Sequence, residues 1–302
     1  MKNFALTGVA GYIAQRHLQA IKDTGNVLVA AVDPHDSVGI MDKYFPNAGF
    51  FTEFERFDRY LEMLRRGPKE SNIDYLTVCS PNHLHDAHIR LALRIGADAI
   101  CEKPLVLNPW NLDALQELEQ EYDHKIYNIL QLRVHPSIIE LKEQISKQKN
   151  KRFDVELNYI TSRGTWYDYS WKGDSNKSGG VVTNIGIHFF DMLIWIFGGV
   201  NRMEVLNSEL HKISGTLELK NADVKWNLSI DYSDLPEEIK HAGKTTFRSI
   251  KVDNVEVHFS DGFTDLHTKV YQAILSGNGF GIDDARPSIE AVYNIREIIN
   301  KF

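Results

Sequence analysis

The first 128 residues alternate short apolar runs with helical segments, and this rhythm constrains the fold more than any other feature. Phe4–Val9, Val27–Val32, Tyr75–Ser80, Ala99–Glu102 and Ile126–Ile129 are rich in β-branched or apolar residues and read as strands. Between them, positions such as Leu84, Ala87, His88, Leu91 and Ala92 recur at three- and four-residue spacings and share one helix face. Consecutive parallel strands need long crossovers, which these helices supply. The segment therefore predicts a doubly wound parallel α/β sheet, a Rossmann-type domain over residues 1–128.

Beyond about residue 150 the period changes to two. Phe153–Tyr159, Thr216–Leu219, Val224–Ile230 and Val255–Phe259 alternate in polarity, as strands of a largely antiparallel sheet with one covered face do. Asp261–Leu275 and Pro287–Ile299 return to helical spacing around the loop signal Ser276-Gly-Asn-Gly-Phe-Gly. The expectation is a second α+β domain over 129–302 with an open sheet, its last helix packing back on the first domain. An open apolar sheet face needs a cover, so a homo-oligomer is expected.

Composition narrows the function classes. The 302 residues suffice for two domains, and 34 Lys plus Arg against 41 Asp plus Glu leave a net charge of -7, the wrong sign for a nucleic-acid partner. The longest apolar candidate, Ile185–Val200, is interrupted by His188 and Asp191 and falls short of the ~20 residues that span a bilayer, so no membrane partner is expected. Met1–Ala10 carries one Lys and runs into the amphipathic Tyr12–Ile21, which reads as a strand entering a helix, not as a signal peptide. Cys79 and Cys101 end apolar runs and form no CxxC pair, which predicts buried free thiols and a cytoplasmic setting.

Gly8-Val-Ala-Gly11-Tyr12-Ile13-Ala14 joins the first strand to the first helix, where small residues let a pyrophosphate approach free helix N–H groups. It reads GxxGxxA, not GxGxxG, and such turns also serve purely structural ends. Asp33 ends the second strand close to the ~20-residue offset of a carboxylate that binds a ribose 2′-hydroxyl, which favours NAD over NADP; its other reading is a solvated turn acid. Ser37 falls in the same loop. Ser80-Pro-Asn82-His-Leu-His85 lies at the carboxyl edge of the sheet and reads as a nucleotide-contact loop. His83, His85 and His88 lack metal-ligand spacing, so no metal is expected.

Glu102-Lys103-Pro104 resembles the EKP motif of the Gfo/Idh/MocA family of NAD(P)-dependent sugar and cyclitol dehydrogenases, and the resemblance covers essentially the whole chain. It implies a cis Lys-Pro peptide beside the nicotinamide, with Lys103 reaching the reacting hydroxyl. The family element D-x-G-x-H-x-x-D appears as Asn184-Ile-Gly-Ile-His188-Phe-Phe-Asp191; the resemblance makes His188 the second catalytic candidate, and Asn in place of Asp shifts the burden towards Lys103.

Leu130–Pro136, Thr161–Tyr167, Ser170–Asp174 and Gly279–Ser288 resemble a subgroup that oxidises the 3-hydroxyl of a UDP-linked N-acetylglucosaminuronic acid. The resemblance implies NAD held by Gly11, Tyr12, Ile13, Asp33, Ser37, Ser80, Asn82, His85, Glu102, Lys103 and Gln131. It implies substrate contacts from Lys103, Arg133, Arg163, Trp166, Tyr167, Asn184 and His188. Arg163 offers bidentate donors for a carboxylate or phosphate, and Trp166, Tyr167 and Trp171 offer flat faces for sugar or uracil. The same resemblance implies a homotetramer, a 3-keto product consumed by a pyridoxal-phosphate aminotransferase in lipopolysaccharide O-antigen synthesis, and in some members 2-oxoglutarate as electron acceptor. The rival readings are a family dehydrogenase of another sugar or cyclitol, and an NAD-binding regulator without catalysis.

Overall fold

The computed structural model describes residues 1–36, 39–148, 150–257 and 264–301. The chain divides into two units: Met1–Gln131 with Thr264–Arg286, and Leu132–Phe263 with Pro287–Phe302.

The first unit is built on six parallel strands: β1 (Asn3–Thr7), β2 (Val27–Val32), β3 (Gly49–Phe51), β4 (Tyr75–Val78), β5 (Asp98–Cys101) and β6 (Ile126–Asn128). Their order, β3-β2-β1-β4-β5-β6, reverses direction at β1/β4, the switch point at which such sheets open a crevice beyond the strands' carboxyl ends. Helices α1 (Ala14–Asp23), α2 (Gly39–Tyr44), α3 (Phe54–Arg66), α4 (His85–Arg94) and α5 (Pro109–Tyr122) lie in the connections. Sequence periodicity did not reveal β3, because Gly-Phe-Phe is too short to display a period.

In the second unit come α6 (Pro136–Ser146), β7 (Phe153–Thr161), α7 (Trp166–Tyr169), α8 (Ser175–Ser178) and a π-helical turn at Val182–Gly186 that leads into α9 (Ile187–Phe197). Strands β8 (Val200–Ser208), β9 (Lys212–Leu219) and β10 (Ala222–Ser229) follow, then α10 (Glu237–His241), β11 (Thr246–Val252) and β12 (Val255–Glu256). The sheet runs β12-β11-β7-β10-β9-β8 and is mixed: β7 and β10 are parallel and the other pairs antiparallel. The parallel pair arises because the long excursion through α7 to β9 returns the chain beside β7 in the same direction.

Period-two alternation sends Val155, Leu157, Leu217, Val224, Trp226 and Ile250 to the buried face, where Phe190 of α9 meets Trp226 edge-on at 5.3 Å. The opposite face carries Asp154, Glu156, Glu218, Asp223 and Lys225. It is polar and charged, so the apolar open face invoked above for oligomerisation does not exist there. The stretch Ser175–Phe197 also corrects an expectation: by length and composition it could cross a membrane, but its apolar window is 72% buried inside the protein, as a core element would be.

The sequence divided the chain once, after residue 128, whereas α11 (Leu266–Leu275) clusters with the first unit. Leu266, His267, Val270, Tyr271 and Ile274 are all buried at three- and four-residue spacings, and Tyr271 stacks on Phe4 of β1 at 5.9 Å. Each such fully buried apolar side chain contributes on the order of 2 kcal/mol. The last helix, α12 (Ile282–Ile299), contains Pro287, where the division between the units falls. Cys79 and Cys101 are buried free thiols whose pKa burial pushes well up, so they are poor nucleophiles.

Candidate active site

The glycine turn sits at the carboxyl end of β1. Gly8 adopts φ +81°, and a Cβ there would lie 2.5 Å from the Cys79 carbonyl oxygen, so only glycine lets the turn press against the end of β4. Asp33 is buried and closes the turn: one carboxylate oxygen accepts the Ala10 N–H at 3.0 Å, the other the His35 N–H at 2.9 Å. Ile13, at the start of α1, makes no side-chain cap; the Ala14 N–H bonds the Gly11 carbonyl at 3.0 Å and the Arg16 N–H the Ile13 carbonyl at 2.9 Å, while Tyr12 is 84% exposed. An anion suits that end. Ser37 lies outside the described residues.

Beyond β4 the histidines brace the backbone. The His85 ring spans two carbonyl oxygens, Pro104 at 2.7 Å from Nδ1 and Ser80 at 2.8 Å from Nε2, and so ties the Ser80 loop to the turn after β5. The Lys103–Pro104 peptide in that turn is cis. Burial pushes the His85 pKa down, against the upward pull of both carbonyls. Ser80 Oγ bonds His88 Nδ1 at 2.8 Å, and Asn82 is buried beside them in sequence at the foot of α4. Gln131 Oε1 is buried with no hydrogen-bond partner among the described residues, an acceptor that a bound amide would satisfy.

Glu102 is held from inside the unit. Its Oε1 accepts N–H bonds from His17 Nε2 at 2.9 Å and His267 Nε2 at 3.1 Å, and its Oε2 accepts the Lys103 N–H at 3.2 Å. Burial alone would raise the carboxyl pKa; the two imidazole bonds outweigh it and hold the group well below the carboxylate range. With His17 neutral, its Nδ1 accepts from the Tyr271 hydroxyl at 2.8 Å, which lies 2.9 Å from Thr77 Oγ1. His17, Glu102 and His267 could hold a metal by residue type; as they stand, both imidazoles are within hydrogen-bond distance of the same carboxylate oxygen. This chain orients the Lys103 backbone, and none of His17, His267 and Tyr271 was anticipated from the sequence. The only hint was their place on the apolar faces of α1 and α11.

A pH dependence follows from these buried rings. The His88 pKa is drawn down from 6.5 to about 4, first by burial and then by the neighbouring His85 and His83. The ring is neutral in the folded chain and protonates on unfolding, so its stabilisation is complete above about pH 6.5 and is lost as pH falls towards 4, a change on the order of 3 kcal/mol. Denaturant titrations should give His88→Asn a flatter stability curve than the parent between pH 6.5 and 4.5 (roughly the interval between its two pKa values). Parallel curves would remove His88 from the account.

In the second unit, Arg133 makes a bidentate ion pair with Asp191 of α9, Nε at 3.0 Å and Nη2 at 2.8 Å, with the two side chains 6% and 4% exposed. Sequence reading offered this guanidinium to the substrate; in the structure its fork is occupied by Asp191. Asn184, in the π-helical turn, donates from Nδ2 to the Tyr167 hydroxyl at 2.9 Å, and burial raises the Tyr167 pKa. A carboxylate at 184 would accept there instead of donating. His188 follows in the first turn of α9, half-buried. Trp166 is half-exposed and packs 5.9 Å from Tyr167, and Arg163 is exposed just past β7, its N–H bonded to the Ile230 carbonyl at 2.9 Å. Asn184 and Tyr167 are thus brought together, with Lys103 in the first unit and Asn184, His188 and Arg163 in the second.

Residues 2–129 match the NAD-binding Rossmann fold of the GFO_IDH_MocA oxidoreductase family, and residues 150–233 match that family's C-terminal alpha/beta domain. The WlbA (WbpB) dehydrogenase from Thermus thermophilus is 53% identical to this chain at a TM-score of 0.94, covering 98% of this chain and 95% of its own. This chain belongs to the Gfo/Idh/MocA oxidoreductase family. The Thermus protein has been solved with NAD and alpha-ketoglutarate, and with NAD and UDP-GlcNAcA. The Bordetella pertussis WlbA dehydrogenase, at 18% identity and a TM-score of 0.79, shares the fold. The Bacillus subtilis oxidoreductase YteT is 29% identical over 202 residues, and the match spans 43% of that relative's length. The family's cofactor, NAD, fits the groups described: a glycine turn leading into the positive end of α1, a buried acid at the end of β2 and an amide acceptor at Gln131 without a hydrogen-bond partner among the described residues.

Proposed function

We propose that the protein is an NAD-dependent dehydrogenase that oxidises the 3-hydroxyl of UDP-N-acetylglucosaminuronic acid to the 3-keto sugar. The observation that carries this reading is the 53% identity over nearly the whole chain with the Thermus enzyme whose structure holds NAD and UDP-GlcNAcA.

In this reading the Gly11 turn lets the pyrophosphate approach the positive end of α1 beside Tyr12 and Ile13, and Asp33, with Ser37, takes the adenosine ribose. Ser80, Asn82 and His85 shape the adjoining wall, and Gln131 receives the carboxamide. NAD, when bound, supplies the acceptor for the hydride that leaves the carbinol carbon. Lys103 takes the hydroxyl proton as general base, its backbone steadied by Glu102, and His188 assists. Asn184 and Tyr167 orient the sugar, Arg163 meets an acidic group, and Trp166 provides a flat face. Arg133 supports this wall through Asp191.

Alcohol oxidation by NAD+ is uphill near neutral pH, so the product must be removed or the reduced cofactor reoxidised. A 3-keto sugar is a substrate for a pyridoxal-phosphate aminotransferase, and 2-oxoglutarate would recycle NADH on the enzyme, as its presence in the Thermus complex supports. The reading places the protein in the cytoplasm, as a homotetramer, in lipopolysaccharide O-antigen synthesis, with the first unit serving the cofactor and the second serving substrate binding and assembly. Light scattering at micromolar concentration tests the assembly, and a monomer would contradict it.

The functional test measures ketone product and NADH with UDP-GlcNAcA, with and without 2-oxoglutarate and with the aminotransferase as trap. Turnover of UDP-GlcNAcA but not of UDP-GlcNAc is expected. Silence under every coupling condition, with NAD bound, would overturn the assignment.

A further inference from the structure

The segment after β7 carries two cations, Arg163 and Lys172, that no acid among the described residues neutralises. Arg163 stands where two parallel strands finish, since its N–H bonds Ile230 just beyond β10. Lys172 is half-buried, its Nζ 4.5 Å from the centre of the Trp171 ring and 5.7 Å from that of Trp166. Among the described residues, neither cation has a carboxylate within ion-pair distance. The acids of the same segment are engaged elsewhere: Asp168 faces His211 at 2.9 Å, and Asp174 faces Lys177 at 3.6 Å. Burial, and then the positive charge of Arg163, push the Lys172 pKa below the usual lysine range. A cation set at an aromatic wall with no carboxylate partner among the described residues, and a second cation nine residues earlier in the same segment, are half of an ion pair. Arg163 also lies close enough to influence the Tyr167 hydroxyl, which is bonded to Asn184, so the pair belongs with the predicted substrate residues.

We propose that Lys172 and Arg163 form a two-cation receptor for anionic oxygens of the acidic sugar nucleotide, walled by Trp166 and Trp171, with Lys172 as a substrate-affinity determinant not evident from the sequence. The inference rests on the uronic-acid nucleotide reading above. The sugar carboxylate and the diphosphate offer the same chemistry, and the experiment separates them.

Binding of UDP-GlcNAcA and of UDP-GlcNAc to the NADH-loaded protein is measured by calorimetry for the parent, Lys172→Met and Lys172→Arg, with KM and kcat determined alongside. For Lys172→Met we expect UDP-GlcNAcA affinity to fall about tenfold or more, with KM rising by a similar factor and kcat falling far less, while Lys172→Arg restores most of the loss. A loss confined to UDP-GlcNAcA assigns the receptor to the carboxylate; an equal loss for UDP-GlcNAc assigns it to the diphosphate. Unchanged affinity for both, or Lys172→Arg as impaired as Lys172→Met with NADH binding intact, would overturn the proposal. Failure of the parent itself to bind UDP-GlcNAcA would instead strike at the functional reading.

Discussion

Lys103→Ala should lower kcat with UDP-GlcNAcA by a factor on the order of 10² to 10⁴, the usual contribution of a positioned general base, while the protein still binds NADH. The amine is carried on a cis Lys-Pro turn fastened from two sides, by His85 on the Pro104 carbonyl at 2.7 Å and by Glu102 on the Lys103 N–H at 3.2 Å. Truncating the side chain beyond that turn leaves both fastenings in place, so the loss should fall on the chemical step and not on the fold. Single-turnover rates with NADH fluorescence titration separate the two. With Asn184 donating to Tyr167, no carboxylate at position 184 assists His188, and His188→Ala is expected to cost less than Lys103→Ala. A Lys103→Ala enzyme with near-parental turnover would remove the assigned base.

The second large effect is on stability. Arg133→Met would leave the Asp191 carboxylate buried without its bidentate partner, at a cost of about 3–5 kcal/mol. The penalty is that of a buried carboxylate deprived of its bidentate cation more than of lost packing, since Met keeps much of the apolar stem. Arg133→Met with Asp191→Leu should therefore recover much of the stability in denaturant titrations. If the single variant loses less than about 1 kcal/mol, the scale of a solvent-exposed pair, the buried-pair account fails.

The parts of this architecture that repeat were legible. Strands β1, β2, β4, β5 and β6 declared themselves through apolar runs, β7, β9 and β10 of the second unit through alternation, and the glycine turn and Glu102-Lys103-Pro104 through local motifs, whereas β8 and β11 were not identified. What stayed hidden depends on partners distant in the chain. His17 and His267 reach Glu102 across 85 and 165 positions, and Arg133 reaches Asp191 across 58. A buried polar side chain carries no period, and its partner cannot be read from its neighbours. The placement of α11 with the first unit was obscured for the same reason: its apolar face shows that it packs, not on what. The polar open face of the second sheet was visible in Asp154, Glu156, Asp223 and Lys225, which occupy alternate positions in β7 and β10.

The central claim is that hydride leaves C3 of the uronic acid for NAD. Its most direct test is mass spectrometry of the cofactor after one turnover with UDP-GlcNAcA carrying deuterium at C3. The account predicts reduced cofactor bearing the deuterium; reduced cofactor without the label, from a substrate fully labelled at C3, would contradict it.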